Sequence, residues 1–305
     1  SVARSMATVF ITGESGTGKE LCAEAVHQES ARSGGPFVAL NCGAIPVDLL
    51  ESEVFGHLRG SFTGAISDKL GAAAAADGGT LFLDEICEMD LNLQTKLLRF
   101  LQTSTITPVG ATKPRKINVR IICATNRSPL EEVRQGRFRE DLYYRLHVVP
   151  IHLPPLRDRG DDVNEIAENL VVQMAREEGH NFTGLSQRVR ELFRGLPWPG
   201  NVRQLINVLR NVVVLNEGPM VAPEMLPPDL MVTMTRTKDA PEDDDARPAL
   251  GDLAGRTLAQ IERIVIDDAL SRHNGSVPKA ARELDVSAST LYRKLDAWSK
   301  AEQKL

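Results

Sequence analysis

The stretch ATVFITGESGTGKE, residues 7–20, joins an apolar run to a glycine-rich turn and then to a helical pattern. Continuous apolar residues bounded by glycine predict a buried strand, and G-x-x-x-x-G-K after such a strand predicts a loop that cradles phosphates. The reason is geometric: glycines let backbone N–H groups approach phosphate oxygens, the next helix N-terminus adds partial positive charge, and Lys19 reaches the outer phosphates. Gly13, Glu14, Ser15, Gly16, Thr17, Gly18, Lys19 and Glu20 are therefore the expected nucleotide contacts. Glu20 stands where the generic pattern has Ser or Thr to hold a metal, which moves the metal burden to a second motif.

That motif is GGTLFLDEI, residues 78–86, an apolar strand ending in two acids. Asp84 is expected near magnesium, and Glu85 is expected to polarise a water for attack on the γ-phosphate of ATP. An isolated acidic pair at a strand end can also be solvated surface; its distance from the glycine loop favours the chemical role. PFVALN, NVRIICATN and LHVVPIHL add three more apolar runs separated by helical patterns. Together these predict an α/β core with a parallel sheet covered on both faces, over residues 1–155.

Beyond the proline-rich IHLPPLRDRGDD the pattern turns to helices only, Val163 to Leu215, predicting a small helical subdomain over 156–226. Residues 227–256 mix prolines with an acidic run and read as a linker. Residues 257–305 are helical again. Ala72 to Ala76 reads as a short helix.

Composition narrows the class. With 305 residues, 42% hydrophobic and 25% charged, the chain has the balance of a multidomain globular protein. A net charge of -5 means that any nucleic-acid contact is local rather than a property of the whole surface. Cys22, Cys42, Cys87 and Cys123 form no C-x-x-C pair and read as buried small hydrophobes in a reducing compartment. No apolar run approaches the ~20 residues of a membrane helix, so a cytoplasmic location is expected. Ser1 directly before an apolar strand suggests a fragment with an upstream part missing.

GHLRGSFTGA, residues 56–65, is harder to place. A phenylalanine between Gly60 and Gly64 does not anchor a regular element, since each glycine costs up to about 1 kcal/mol in a helix. Either Phe62 folds back under its loop or it touches something else.

These motifs together resemble the AAA+ ATPases, and within them the NtrC-type activators of sigma-54 RNA polymerase. GESGTGKE, with glutamate after the lysine, is that family's form of the phosphate loop. NCGAI resembles the segment of the switch asparagine, here Asn41, which restrains the catalytic glutamate. ICATN resembles the sensor I strand end and implies that Thr125 and Asn126 lie near the γ-phosphate. WPGNVRQL resembles sensor II, with Arg203 reaching the nucleotide from the lid; by pattern alone it is a plain helix start. FREDLYYR supplies Arg139 and Arg145 at the arginine-finger positions, which implies an enzyme active only as a ring. By charge alone these two could equally pair with Glu140 and Asp141. The loop matches the family's GAFTGA except that Ser61 replaces alanine, implying that Phe62, Thr63 and Gly64 touch the sigma factor.

The tail TLAQIERIVIDDALSRHNGSVPKAARELDVSASTLYRKLDAW, residues 257–298, has two helical pieces joined by DVS, as in a helix-turn-helix. A preceding helix with Leu258, Ile261, Val265 and Leu270 suits a dimer face. It resembles the Fis-type domain that ends NtrC-family activators. Lys279, Arg282, Arg293 and Lys294 suit phosphate contacts, and Thr290 and Tyr292 base or phosphate contacts. Asp285 replaces the usual turn glycine, and Ala288 stands where many members carry a base-reading arginine. The resemblance implies ATP and Mg2+ as cofactors. Its implied partners are sigma-54 polymerase, enhancer DNA and further copies of the chain, as a dimer through the C-terminal unit and a hexameric ring when active. Segments such as EMDLNLQTKLLRF look most like a quorum-sensing response regulator, with an upstream phosphoacceptor receiver domain. The competing expectation is a DNA-binding regulator that uses nucleotide only to assemble and acts without sigma-54.

Overall fold

A computed structural model describes residues 2–228, 230, 260, 262, 263, 265, 266, 269, 270, 273, 276–284 and 286–302. Two compact units divide the chain, Ser1–Thr237 and Lys238–Leu305. The expected linker falls largely outside the described residues.

The first unit is built on five parallel strands, ordered Phe37–Asn41, Thr80–Asp84, Arg120–Thr125, Val9–Thr12 and Val149–His152. Each matches one of the apolar runs. Alternation explains why those runs are continuous rather than polar on one side. Phe10, Leu81, Leu83, Ile121 and Cys123 enter one core cluster, whereas Val9, Ile11, Phe82, Ile122 and Ala124 enter another. Burying such a side chain contributes about 1.5–3 kcal/mol, so both faces are strongly fixed. Register then decides function: Asn41 pairs with Asp84 and Thr12 with Thr125, lining these residues up along the C-terminal edge.

The helix Leu91–Thr103 shows how local sequence sets an element. Asp90 caps it by accepting from Asn92 N (2.9 Å) and Leu93 N (3.1 Å), and its apolar stripe Leu93, Leu97 and Phe100 is buried. It ends at Ser104, whose φ of 54° leaves the helical region.

Three helices, Asp162–Glu178, Gln187–Gly195 and Asn201–Leu215, form the lid around Ala167, Val171, Phe193, Trp198 and Leu209. The expectation of helices only needs correction here. Gly184–Leu185 forms a short parallel ladder with Met220–Val221, two residues that are too few for any period to show in sequence.

The second unit contains the helices Val277–Glu283 and Ala288–Glu302, packed over Ile266, Ala269, Ala281 and Leu291. This is the predicted helix-turn-helix arrangement. Leu258, Ile261 and Asp285 lie outside the described residues; of the expected dimer stripe, Val265 is exposed and Leu270 packs partly against the unit's own core.

Candidate functional site: a nucleotide cleft and an exposed hairpin

The glycine loop turns from the strand Val9–Thr12 into the helix Lys19–Gln28, and the lid closes against it. Gly16 has φ of 80°, and an added Cβ would lie 2.4 Å from Gly200 O and 3.0 Å from Arg203 Cβ. Only glycine lets loop and lid approach this closely. The resulting cleft of about 210 Å³ is lined by Ser15, Lys19, Asp84, Glu85, Arg203 and Ile206, among others.

Within it the sequence-predicted residues converge. Lys19 Nζ donates to Gly13 O (3.0 Å) and Glu14 O (3.2 Å) and lies 3.9 Å from Glu85 Oε1. Glu85 Oε2 accepts from the backbone N–H of Asn126 at 3.0 Å. Glu85 itself has φ of 51° and ψ of 47°, a left-handed conformation that costs about 1–3 kcal/mol in a non-glycine residue. Asp84 Oδ1 accepts from Glu85 N at 3.0 Å. Arg203 donates from the lid to Ser15 Oγ at 3.1 Å.

Other predicted residues are placed differently. Asn41 Oδ1 accepts from Gly43 N (2.9 Å) and Ala44 N (3.1 Å), shaping its own turn, and no Asn41–Glu85 hydrogen bond occurs among the described residues. Thr125 is fully buried, its hydroxyl accepting from Arg127 N, so at the strand end it is the Asn126 N–H rather than the Thr125 hydroxyl that reaches Glu85. Glu20, exposed on the first turn of its helix, does line the cleft. Arg139 grips Asp141 with two bonds (3.0 and 2.8 Å), and Arg145 donates to Leu101 O (3.2 Å). Neither arginine bonds to Lys19, Asp84 or Glu85 of its own chain among the described residues. Arg139 thus has the surface pairing that charge alone allowed.

A latch between loop and lid was not legible as such in the sequence. Arg157 holds Glu14 through two bonds (2.9 and 2.6 Å), Asn201 Nδ2 donates to Glu14 Oε2 (3.1 Å) and Ser15 O (3.0 Å), and Arg159 reaches Thr17 O (2.9 Å). The Arg157 guanidinium, with help from Asn201, holds the Glu14 carboxyl down at about 2. Asn201 accepts a left-handed φ of 48° that asparagine tolerates better than most residues. The signal was the arginine pair in LRDRG, which reads in isolation as a charged loop.

The cysteines are buried beneath the catalytic edge, apart from half-buried Cys22. Burial, then the charges of Asp84 and Glu85, push the Cys42 thiol up to about 12; burial foremost pushes Cys87 to about 11 and raises Cys123. They are packing groups rather than nucleophiles.

GHLRGSFTGA is the tip of a hairpin. Gly56–His57 pairs antiparallel with Lys69–Leu70, and the tip is closed by Gly60 N to Ala65 O (2.8 Å) and Ala65 N to Phe62 O (3.1 Å). Phe62 does fold back, edge-on to His57 with ring centroids 5.0 Å apart, yet stays 36% exposed; Thr63 and Gly64 face solvent. A second hairpin, Thr105–Ile106 with Arg115–Lys116, lies beside it through Leu58 N to Val109 O (3.0 Å) and Val109 N to Gly56 O (2.9 Å). Its tip glycine, Gly110, has φ of 83°, and an added Cβ would meet Ser61 Cβ at 2.7 Å. Ser61 Oγ is buried there without a hydrogen-bond partner.

In the second unit Lys279, Tyr292 and Arg293 are exposed. Thr290 is tied to Ser287 (hydroxyls 2.7 Å apart), and Lys294 to Glu262 (2.7 Å).

Fold and cleft together define a P-loop ATPase of the AAA+ class. Three families match along the chain: the Sigma-54 interaction domain over residues 1–152, the AAA+ ATPase lid domain over 157–243, and the Bacterial regulatory protein, Fis family, over 257–298. Regulatory protein LuxO of Vibrio vulnificus is 57% identical over 304 residues, covering 100% of this chain and 67% of that protein. The DNA-binding transcriptional regulator NtrC of Rhizobium meliloti is 43% identical over 311 residues, covering 94% and 64%. Among solved structures, NtrX from Brucella abortus in complex with ADP superposes with a TM-score of 0.70 at 32% identity, covering 97% of this chain and 65% of that one. The chain spans about two thirds of the length of the relatives it matches, and it belongs to the family of sigma-54-dependent transcriptional regulators that join an AAA+ ATPase to a Fis-type DNA-binding domain. Among the described residues no helix is long and apolar enough to cross a membrane.

Proposed function

We propose that the chain binds enhancer DNA and, as a ring hexamer in the cytoplasm, uses ATP hydrolysis to remodel sigma-54 polymerase so that closed promoters open. What supports this reading above all is the convergence of Lys19, Glu85, Asn126 and the Ser15–Arg203 pair on one cleft, in a chain that also carries the solvent-facing Phe62, Thr63 and Gly64. We divide the chain into an ATPase subdomain (1–155), a lid (156–226), a linker (227–256) and a DNA-binding domain (257–305).

Each side chain then has a task. Lys19 neutralises the outer phosphates while the 13–20 loop fixes them through its N–H groups. Glu85 orients the attacking water, and the Asn126 N–H sets the direction of its carboxylate. Asn41 restrains Glu85 until the ring engages, and Thr125 keeps the strand end beside it in place. Arg203 carries the state of the nucleotide into the lid. Arg139 and Arg145 act on the neighbouring protomer's nucleotide, exchanging their own-chain partners for phosphoryl oxygens.

The acids suit magnesium. Among the described residues no group of three or more His, Cys, Asp or Glu is arranged to hold a metal, so a protein cage of the calcium type is absent there. Asp84 beside Glu85 fits an ion held mainly by phosphates and water with one or two carboxylates. Magnesium, when bound, spreads the charge that develops on the transferring phosphoryl group.

Phe62, Thr63 and Gly64 contact the sigma factor, and Lys279, Thr290, Tyr292, Arg293 and Lys294 contact DNA, the C-terminal unit pairing two chains. A two-component or quorum-sensing input is inferred from the likeness to LuxO. The test is a purified system in which this chain, ATP and magnesium are added to a sigma-54 promoter complex. Open complexes that depend on hydrolysable ATP are expected. Nucleotide-dependent assembly on DNA without opening would favour a regulator that uses nucleotide only to assemble.

A further inference from the structure

Gln94 does not line the cleft, yet it is a buried polar side chain that makes three hydrogen bonds. It is 0% exposed on the helix Leu91–Thr103. Its Nε2 donates to Met89 O (2.7 Å) and to Arg137 O (2.9 Å), and its Oε1 accepts from Arg139 N (2.8 Å). Two carbonyls on one side and an N–H on the other allow one orientation of the amide. Burial without these partners would cost about 1–3 kcal/mol per group, so the three contacts hold together or fail together.

The groups that Gln94 joins are telling. Met89 closes the segment that begins at Glu85, and Arg139 is the finger whose backbone starts the helix Glu140–Leu146. Between Arg137 and Arg139, Phe138 is buried in the main core. A charged route runs alongside: Glu88 pairs with Arg127 (2.5 Å), and Glu132 joins Arg127 (3.2 Å) to Arg137 (2.6 Å). The finger segment is therefore tied twice to the catalytic segment of its own chain, once through a neutral amide and once through charges.

We propose that Gln94 is the positioning residue of the arginine finger: it fixes the Arg137–Arg139 backbone against the segment after Glu85, so that the finger offered to a neighbour keeps one position relative to its owner's cleft. This rests on the proposal above that Arg139 acts in trans. Gln94 itself does not line the cleft.

The experiment uses Gln94→Met, which keeps the volume and removes all three bonds. Its ATP affinity and KM should match wild type while kcat falls about 10²-fold, the cost of misplacing a catalytic group by about 1 Å. Combined with Arg139→Ala it should lower kcat no further than Arg139→Ala alone. Mixed with Lys19→Ala chains, whose fingers are intact, Gln94→Met chains should regain ATPase activity, as Arg139→Ala chains should under the same conditions. Gln94→Asn serves if the Met variant does not fold, because it keeps a neutral amide with both donors and the acceptor but is one methylene too short to hold all three partners; a kcat loss and the same rescue are expected.

Wild-type kcat in Gln94→Met, a loss that multiplies with that of Arg139→Ala, or rescue of Arg139→Ala without rescue of Gln94→Met would each overturn the assignment. Failure of the Arg139→Ala and Lys19→Ala mixture would sink the trans finger instead. In that case the double substitution still decides whether Gln94 works through Arg139.

Discussion

In the nucleotide cleft Lys19, Glu85 and Arg203 each hold a named partner, whereas at the tip of the 56–70 hairpin Thr63 and Gly64 face solvent and Phe62 leans on His57 alone among the rings. Both regions are rich in glycine, but glycine serves opposite ends in them. Gly16 allows a tight approach of loop and lid, where any Cβ would strike Gly200 O; an added Cβ at Gly60 or Gly64 would meet nothing within 4 Å, so there glycine supplies only a positive φ. The lesson is that a site which binds and reacts is over-determined by contacts, and one which is to engage a partner is left under-determined until the partner arrives.

The contrast can be broken most severely at Lys19. Lys19→Ala removes a charged donor whose phosphate bonds are worth about 1.5–3 kcal/mol each, so affinity for ATP should fall about 10²-fold or more. Calorimetry showing unchanged binding would remove the phosphate-loop assignment. Thr63→Ala tests the other side: ATPase turnover should stay within about twofold, while open-complex formation drops at least about tenfold, the loss of roughly one good contact. Full opening by that variant would disconnect the hairpin from the output.

Smaller changes sharpen the comparison. Ser61→Ala removes a buried hydroxyl that lacks a partner and should stabilise the chain by about 1 kcal/mol, raising Tm by about 2–4 °C. A lower Tm in a thermal melt would mean that the hydroxyl is satisfied in solution. Arg157→Ala opens the loop–lid latch and should lower Tm slightly at neutral pH. The Glu14 carboxyl is held at about 2 against an ordinary 4.5, so its pairing contributes stability that is complete above the ordinary value and lost as pH falls through about 2. The gap between wild type and variant should therefore shrink below about pH 4.5, and a gap independent of pH would show that Arg157 acts through packing.

The strands were legible because each is a continuous apolar run bounded by glycine or proline, a pattern set by burial on two faces. The phosphate loop, Asp84 and Glu85 were legible because phosphate chemistry fixes residue type and spacing together, whereas Arg203 was reached only through the family resemblance, its own pattern being a plain helix start. What stayed hidden depends on partners far apart in the chain. Gln94 reads as one polar residue in an amphipathic helix, and its value comes from Arg137 and Arg139, more than forty positions away. Arg157 likewise gains meaning only across the fold from Glu14. The ladder at Gly184–Leu185 and the hairpin at 105–116 were missed because their strands are two residues long. Asn41 and Thr125 carry the expected motif, yet backbone N–H groups two or three residues further on take up their oxygens.

The packing of Gly110 on Ser61 makes the second hairpin a handle on the first. Because Gly110 packs on Ser61 and Val109 bonds to both Leu58 and Gly56, a shift of GSFTGA is expected to carry residues 107–114 with it. Thr112 is exposed on that segment. Three of the four native thiols are buried and held in the unreactive protonated form, so a Thr112→Cys chain can take a fluorescent label at one strongly favoured position. Any motion of the 56–65 loop then becomes an optical signal, read in real time during turnover, with every residue of the FTGA sequence left untouched.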